Sequence, residues 1–148
     1  MNCSLHDKLL SVVVLEHKIQ ELDKKSYFIY GGTEVEAREE IRKLVELNDK
    51  VIICASLGVF SVGVNMKKLH NIIFASSTKS KVLGLQSIGR GLRKHESKDK
   101  ITVYDLVDDY TEEKGFKNYT LKHFEQRMKY YKEENFTVNI KHIEVVES

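Results

Sequence analysis

The stretch of sequence best suited to chemistry is Gln86-Ser87-Ile88-Gly89-Arg90-Gly91-Leu92-Arg93. On a helix, Gln86, Gly89, Arg90 and Arg93 fall at i, i+3, i+4 and i+7 and share one stripe. Leu85, Ile88 and Leu92 form a separate apolar stripe that can face a sheet. The first stripe presents an amide and two forked guanidiniums beside a glycine that lets another surface approach. A guanidinium is planar, permanently charged and able to grip two oxygens at once, which suits it to phosphate. Two arginines alone would favour an ordinary solvated basic face. The full Q-x-x-G-R-x-x-R spacing, directly after a strand and a helix start, favours a site instead. Gly89 and Gly91 weaken a helix, and a merely solvated helix has little reason to carry them.

Equally informative is what the sequence lacks. No G-x-x-x-x-G-K-[ST] phosphate loop occurs in the 148 residues, and no Asp-Glu pair follows a strand as a magnesium-binding, water-activating motif would. Asp105, Asp108 and Asp109 gather at a strand end and read as a structural loop rather than a metal site. The six histidines (His6, His17, His70, His95, His123 and His142) show no ligand spacing and read as surface or capping residues. No metal site is expected. Tyr130, Tyr131 and Phe136 could stack bases, but Tyr131 fits a helix core better. Lys122 and Lys129 share one side of that helix, where an ordinary solvated face is at least as good a reading as a DNA contact.

These residues need a scaffold, and strand and helix patterns alternate through the middle of the chain. Ser26 to Tyr30 is a short aromatic and β-branched run closed by Gly31-Gly32, a strand with a turn behind it. Thr33 and Glu36 form a capping box. Ala37, Ile41, Leu44 and Val45 follow at helical spacing, with Glu39 and Lys43 placed for an i,i+4 pair. Val51 to Ala55 and Asn71 to Ala75 are apolar runs of the kind buried on both faces in parallel sheets. A helix over 79–94 precedes a strand over 101–107. Strands separated by helices predict an α/β fold with a parallel sheet covered on both sides.

The ends are less regular. Residues 4–24 carry a helical pattern through Leu5, Leu9, Val12, Ile19 and Leu22, while Val12 to Leu15 also fits a strand; helix is the preferred reading. Leu121, Phe124, Met128 and Tyr131 form a C-terminal helical stripe. Phe136 to Val146 alternates in places like an edge strand.

With 24 basic and 22 acidic residues the net charge is +2, too balanced to argue for nucleic acid by itself. No apolar run approaches the roughly 20 residues that span a bilayer, so no membrane partner is expected, and no signal peptide opens the chain. Cys3 and Cys54 read as reduced thiols, the latter buried in a strand, as in a cytosolic protein.

Three segments together resemble a known family. Gln86 to Arg93 resembles motif VI of superfamily 2 helicases, and Ser56 to Asn65 resembles motif V, with its hydroxyl at a strand end and its later glycine. Gly31-Gly32-Thr33 resembles the backbone-binding turn between motifs IV and V. Lys79-Ser80-Lys81, Leu85 to His95, Asp105 to Asp109 and Asn118 to His123 resemble bacteriophage members in particular.

The resemblance implies the C-terminal RecA-like lobe over residues 1–110, with residues 111–148 a helix–strand extension packed on it. In that family the strand preceding residues 4–8 lies upstream of Met1. The sheet is therefore expected to lack one edge strand, and the chain to be a split-gene product or a fragment.

The resemblance also implies roles. Arg90 and Arg93 would be arginine fingers for the γ-phosphate of ATP, bound with Mg2+ mainly by an N-terminal RecA-like lobe that this chain does not contain. Gln86 and Gly89 would face the nucleotide, and Gly63 and Asn65 would link nucleotide state to nucleic acid. Gly31, Gly32, Thr33 and Ser56 would contact the sugar-phosphate backbone of DNA, with branched substrates implied. From the residues alone, Thr33 and Ser56 are better read as caps. A competing expectation is a non-catalytic nucleic-acid- or partner-binding module derived from such a lobe. The absent phosphate loop motivates it, and the paired arginines argue against it.

Overall fold

A computed structural model describes residues 25–63, 66–76, 78–109 and 118–143. Four strands and four helices lie within them: β1 (Ser26–Ile29), α1 (Val35–Leu47), β2 (Ile52–Ala55), α2 (Leu57–Gly63), β3 (Asn71–Phe74), α3 (Lys81–Gly91), β4 (Thr102–Asp105) and α4 (Tyr119–Glu133). The expected helix or strand in residues 4–24 lies outside the described residues. The chain divides into two compact units. One comprises residues 1–76 and 82–106; the other comprises 77–81 and 107–148.

In the first unit β1 pairs in parallel with β2, placing Ile29 opposite Ala55, and β3 pairs in parallel with β4, placing Phe74 opposite Asp105. Parallel neighbours need a crossover, and α1 and α3 supply one for each pair. The expected α/β alternation is therefore present. Among the described residues, however, the strands form two parallel pairs.

The strand runs also differ from the expected two-sided burial. Along β3, Ile72 and Phe74 are buried while Ile73 is 60% exposed, and its partner Tyr104 on β4 is 50% exposed. The reason is one-sided cover. Gly91 of α3 lies against Ile72 and Ile101 so closely that a Cβ there would stand 2.6 Å from Ile101 Cδ1 and 3.0 Å from Ile72 Cδ1. The alternate residues of the strand point the other way.

α1 buries Val45, with Ile41 half-buried, against Ile29 and Met66 in the core of β1 and β2. Leu44, expected on that face, is 42% exposed. The charged face is laced differently from the expected Glu39–Lys43 pair. Arg42 reaches back to Glu39 at 2.8 Å and forward to Glu46 at 2.9 Å, because one guanidinium can serve both neighbours. The helix ends where Asn48 Nδ2 donates to the Leu44 carbonyl at 2.7 Å.

In the second unit, α4 buries His123, Arg127, Tyr130 and Tyr131. The buried stripe is thus rotated from the expected Leu121–Phe124–Met128–Tyr131 line, of which only Tyr131 is fully buried. A charged residue can occupy that stripe because Arg127 Nη1 donates to the Thr78 carbonyl at 2.8 Å. His123, read from sequence as a surface group, is buried with its ring against Tyr119, the centroids 3.8 Å apart.

The helix closes in a Schellman arrangement. Asn135 takes a left-handed conformation (φ 55°), its N–H donates to the Lys132 carbonyl, and the Phe136 N–H donates to the Tyr131 carbonyl. The Phe136 and Tyr131 rings then meet at 6.1 Å. Residues 136–143 form no strand, contrary to the expected edge strand. Alternation is only a pattern; a strand needs a neighbour to pair with, and none lies beside these residues among those described. The remainder of that run lies outside the described residues.

Candidate functional site

The parallel register of β1 and β2 makes their C-terminal ends neighbours. The Gly31-Gly32-Thr33 turn leaves one end and Ser56 leaves the other, held to β1 by its N–H donating to the Ile29 carbonyl at 3.1 Å. The turn is closed twice. The Thr33 N–H donates to the Tyr30 carbonyl, and the Tyr30 N–H donates to Thr33 Oγ1, both at 3.0 Å. Thr33 therefore does not make the expected capping box. Glu34 takes the N-cap position without a side-chain cap, and the Thr33 hydroxyl faces back into the turn. Arg38 Nη2 donates to the Gly31 carbonyl at 3.1 Å, holding the turn from the helix side. Both glycines are exposed, and a Cβ on Gly31 would meet nothing within 4 Å. Ser56 caps α2 through its backbone, its carbonyl accepting the Phe60 N–H at 2.9 Å. Gly63 is the last residue of α2. Asn65 lies outside the described residues.

The arginine segment sits at the far end of its crossover. α3 spans Lys81–Gly91 rather than 79–94, and Arg93 lies two residues past its end. Glycines at 89 and 91 explain the early stop. The expected stripe nonetheless persists, because the Arg93 N–H still donates to the Arg90 carbonyl at 3.4 Å and carries the turn one step further. Gln86, Gly89 and Arg93 are exposed and Arg90 is half-buried. A Cβ at Gly89 would meet nothing within 4 Å, so the space above it is open.

The opposite face buries Gly84, Ser87, Ile88 and Gly91. Leu92, expected there, is 57% exposed because it follows the helix end. Burial, and then the like charge of Arg93, hold the Arg90 guanidinium below the ordinary arginine range. The Arg93 charge thus lies close enough to be felt at Arg90. Arginine remains charged at neutral pH.

By contrast, an open cleft of about 750 Å³ lined by Glu39, Arg42, Glu46, Lys67, Lys94, His95 and Glu96 sets three carboxylates against three permanent cations, and so has no excess of formal positive charge. The described residues contain no group of three or more potential metal ligands. No described helix is long and apolar enough to cross a membrane.

The chain is 40% identical over 126 residues, 79% of its length, to the ATP-dependent DNA helicase UvsW of Enterobacteria phage T4. That similarity supports a helicase C-terminal lobe. The chain is also 28% identical over 131 residues, 70% of its length, to IRC3 of Saccharomyces cerevisiae, a protein named as a putative ATP-dependent helicase. It spans about a quarter of the phage relative and a fifth of the yeast one (25% and 19%). No protein-family model matches it.

In fold, the chain resembles the C-terminal part of the Fun30 ATPase domain, with a TM-score of 0.58 over 82% of this chain and 45% of that one at 17% identity. The RecA-like α/β fold follows from that likeness and the parallel strands. Sequence reasoning missed two groups that shape the candidate site, Arg38 and Lys98. Neither carries a sequence signal, since what distinguishes each is the set of carbonyls it meets.

Proposed function

We propose that this chain is the C-terminal lobe of an ATP-dependent DNA helicase or translocase that acts on branched DNA in recombination, repair or replication. The observation that carries the reading is the stripe of Gln86, Gly89, Arg90 and Arg93, which offers two neighbouring guanidiniums beside open space. In this reading Arg90 and Arg93 face the terminal phosphate of ATP. Charge that develops there during phosphoryl transfer is then offset by permanent cations. Gln86 and Gly89 lie against the nucleotide, and Gly63 and Asn65 relay its state.

The exposed Gly31-Gly32-Thr33 turn and Ser56 suit the DNA backbone, which needs small residues and polar groups rather than base-reading side chains. ATP and Mg2+ are bound mainly by an N-terminal RecA-like lobe. The sequence has no phosphate loop, so this lobe hydrolyses no ATP by itself. Residues 1–110 form the RecA-like part and 111–148 its extension, working in the cytoplasm (the host's, if the chain is of phage origin).

The test is reconstitution. The purified chain is expected to show no DNA-stimulated ATP hydrolysis, and addition of the N-terminal lobe of a related DNA helicase should produce it. Failure of every such lobe to confer activity, together with DNA binding by the chain alone, would instead support the binding-module reading that the missing phosphate loop motivates.

A further inference from the structure

The loop that follows the arginine helix folds back on it. Lys98 Nζ donates to the Leu69 carbonyl at 2.7 Å and also to the Gly91 carbonyl. Leu69 stands just before β3 and Gly91 is the last residue of α3, so one ammonium joins the entry of the strand to the exit of the helix. The same loop is fastened again beside that point. The Ser97 N–H donates to His95 Nδ1 at 3.2 Å, and Ser97 Oγ lies 2.8 Å from His95 Nδ1 and 3.1 Å from His70 Nε2. The Lys98 N–H donates to the His95 carbonyl at 3.1 Å.

A helix end leaves carbonyls without intrahelical partners and carries partial negative charge, so a cation placed there is favoured twice. Burial pulls the Lys98 ammonium below its ordinary range, as expected for a charge drawn off the surface toward backbone carbonyls. Arg93 lies beyond the last helical residue, so the helix alone does not aim it. Its direction depends on the path of residues 91–98.

We propose that Lys98 is a positioning residue for Arg93, its ammonium fixing the exit of the arginine helix against the start of β3. The proposal rests on the reading of Arg90 and Arg93 as phosphate-facing groups for its effect on turnover, but its structural part is independent of that reading. Lys98 needs no contact with nucleotide. It acts by holding the backbone from which Arg93 projects, so its loss should lower turnover more than nucleotide affinity.

The full chain is tested first. In wild-type protein the Lys98 ammonium should give a slowly exchanging 15N–1H signal with hydrogen-bond couplings to the Leu69 and Gly91 carbonyl carbons; absence of both couplings overturns the proposal without any variant. In Lys98→Met, exchange of the Leu92 and Arg93 amides should rise at least tenfold while amides of β1 and β2 keep their protection within twofold. Lys98→Arg should recover part of that protection, and Lys100→Met should change nothing. Unchanged exchange in a folded Lys98→Met chain overturns the proposal. If Lys98→Met does not fold, the wild-type couplings decide.

With an N-terminal lobe that confers ATPase activity, Lys98→Met should lower kcat tenfold or more, with KM for ATP within twofold. Turnover lost in Arg93→Ala but kept in Lys98→Met sinks the positioning role and leaves the phosphate reading standing. Turnover kept in Arg93→Ala sinks the phosphate reading, and the exchange data still judge the clasp.

Discussion

The two places in the first unit that we propose to meet phosphate are built in opposite ways. At the C-terminal ends of β1 and β2 the groups are small and neutral: two exposed glycines, a threonine whose hydroxyl is spent within its own turn, and a serine whose backbone starts a helix. At the exit of α3 the groups are long and cationic, and both guanidiniums stand on one stripe. Short-range hydrogen bonds between residues 30 and 33 shape the first place. The second is shaped by Lys98, which reaches back 7 residues to Gly91 and 29 to Leu69. A surface that holds a backbone in any sequence needs only close approach. A group that stabilises a transient charge needs a full charge held in one direction.

The largest effect expected from this difference lies at the arginines. In a complex with an N-terminal lobe that hydrolyses ATP, Arg93→Ala or Arg90→Ala should cut turnover by about 10³-fold or more. DNA affinity, measured by fluorescence anisotropy, should stay within about twofold, because the cation acts where charge develops. Arg93→Lys should recover little, since an ammonium lacks the fork. Near-normal turnover in both alanine variants would reduce this helix to a solvated basic face.

Next in size is a contrast between two glycines of that helix. Gly91→Ala forces a Cβ into Ile101 and should cost about 1–3 kcal/mol, read as a lower urea midpoint for the chain alone. Gly89→Ala enters open space and gains helix propensity, so stability should hold or rise by up to about 1 kcal/mol. If Gly89 faces the nucleotide, the same substitution should still lower turnover in the complex. Equal destabilisation by both substitutions would contradict the packing described for α3.

The smallest effects belong to the strand-end turn. Thr33→Val removes the acceptor for the Tyr30 N–H and should cost about 0.5–1.5 kcal/mol of stability. Binding of DNA by the chain alone should be weak, indifferent to base sequence and steeply salt-dependent, as backbone contacts are. Thr33→Val and Ser56→Ala should weaken it only a few-fold. Tight, sequence-selective binding with a flat salt response would place base-reading groups here and erase the contrast with the arginine end.

Much of this was legible beforehand because it is encoded locally. Apolar runs and helical spacing marked β1 to β4, α1 and α3 to within a few residues, and the Q-x-x-G-R-x-x-R spacing picked out a stripe in which Gln86, Gly89 and Arg93 are exposed and Arg90 half-buried. The absence of a phosphate loop is a property of the sequence itself and needs no coordinates. Periodicity does not say where a helix stops or which of two faces is covered. Arg93 lies outside α3, where glycines at 89 and 91 weaken the helix and Lys98, distant in the loop, meets the Gly91 carbonyl. His123 and Arg127 are buried, against their usual preference, because Tyr119 and the Thr78 carbonyl receive them. Thr33 turned back into its own turn where the capping-box pattern pointed forward. Spacing along the chain decided which residues share a stripe. Carbonyls and rings, several of them distant in sequence, decided where the stripes end and which polar groups are held inside, because a buried charge or an orphan backbone group is tolerated only where a partner meets it.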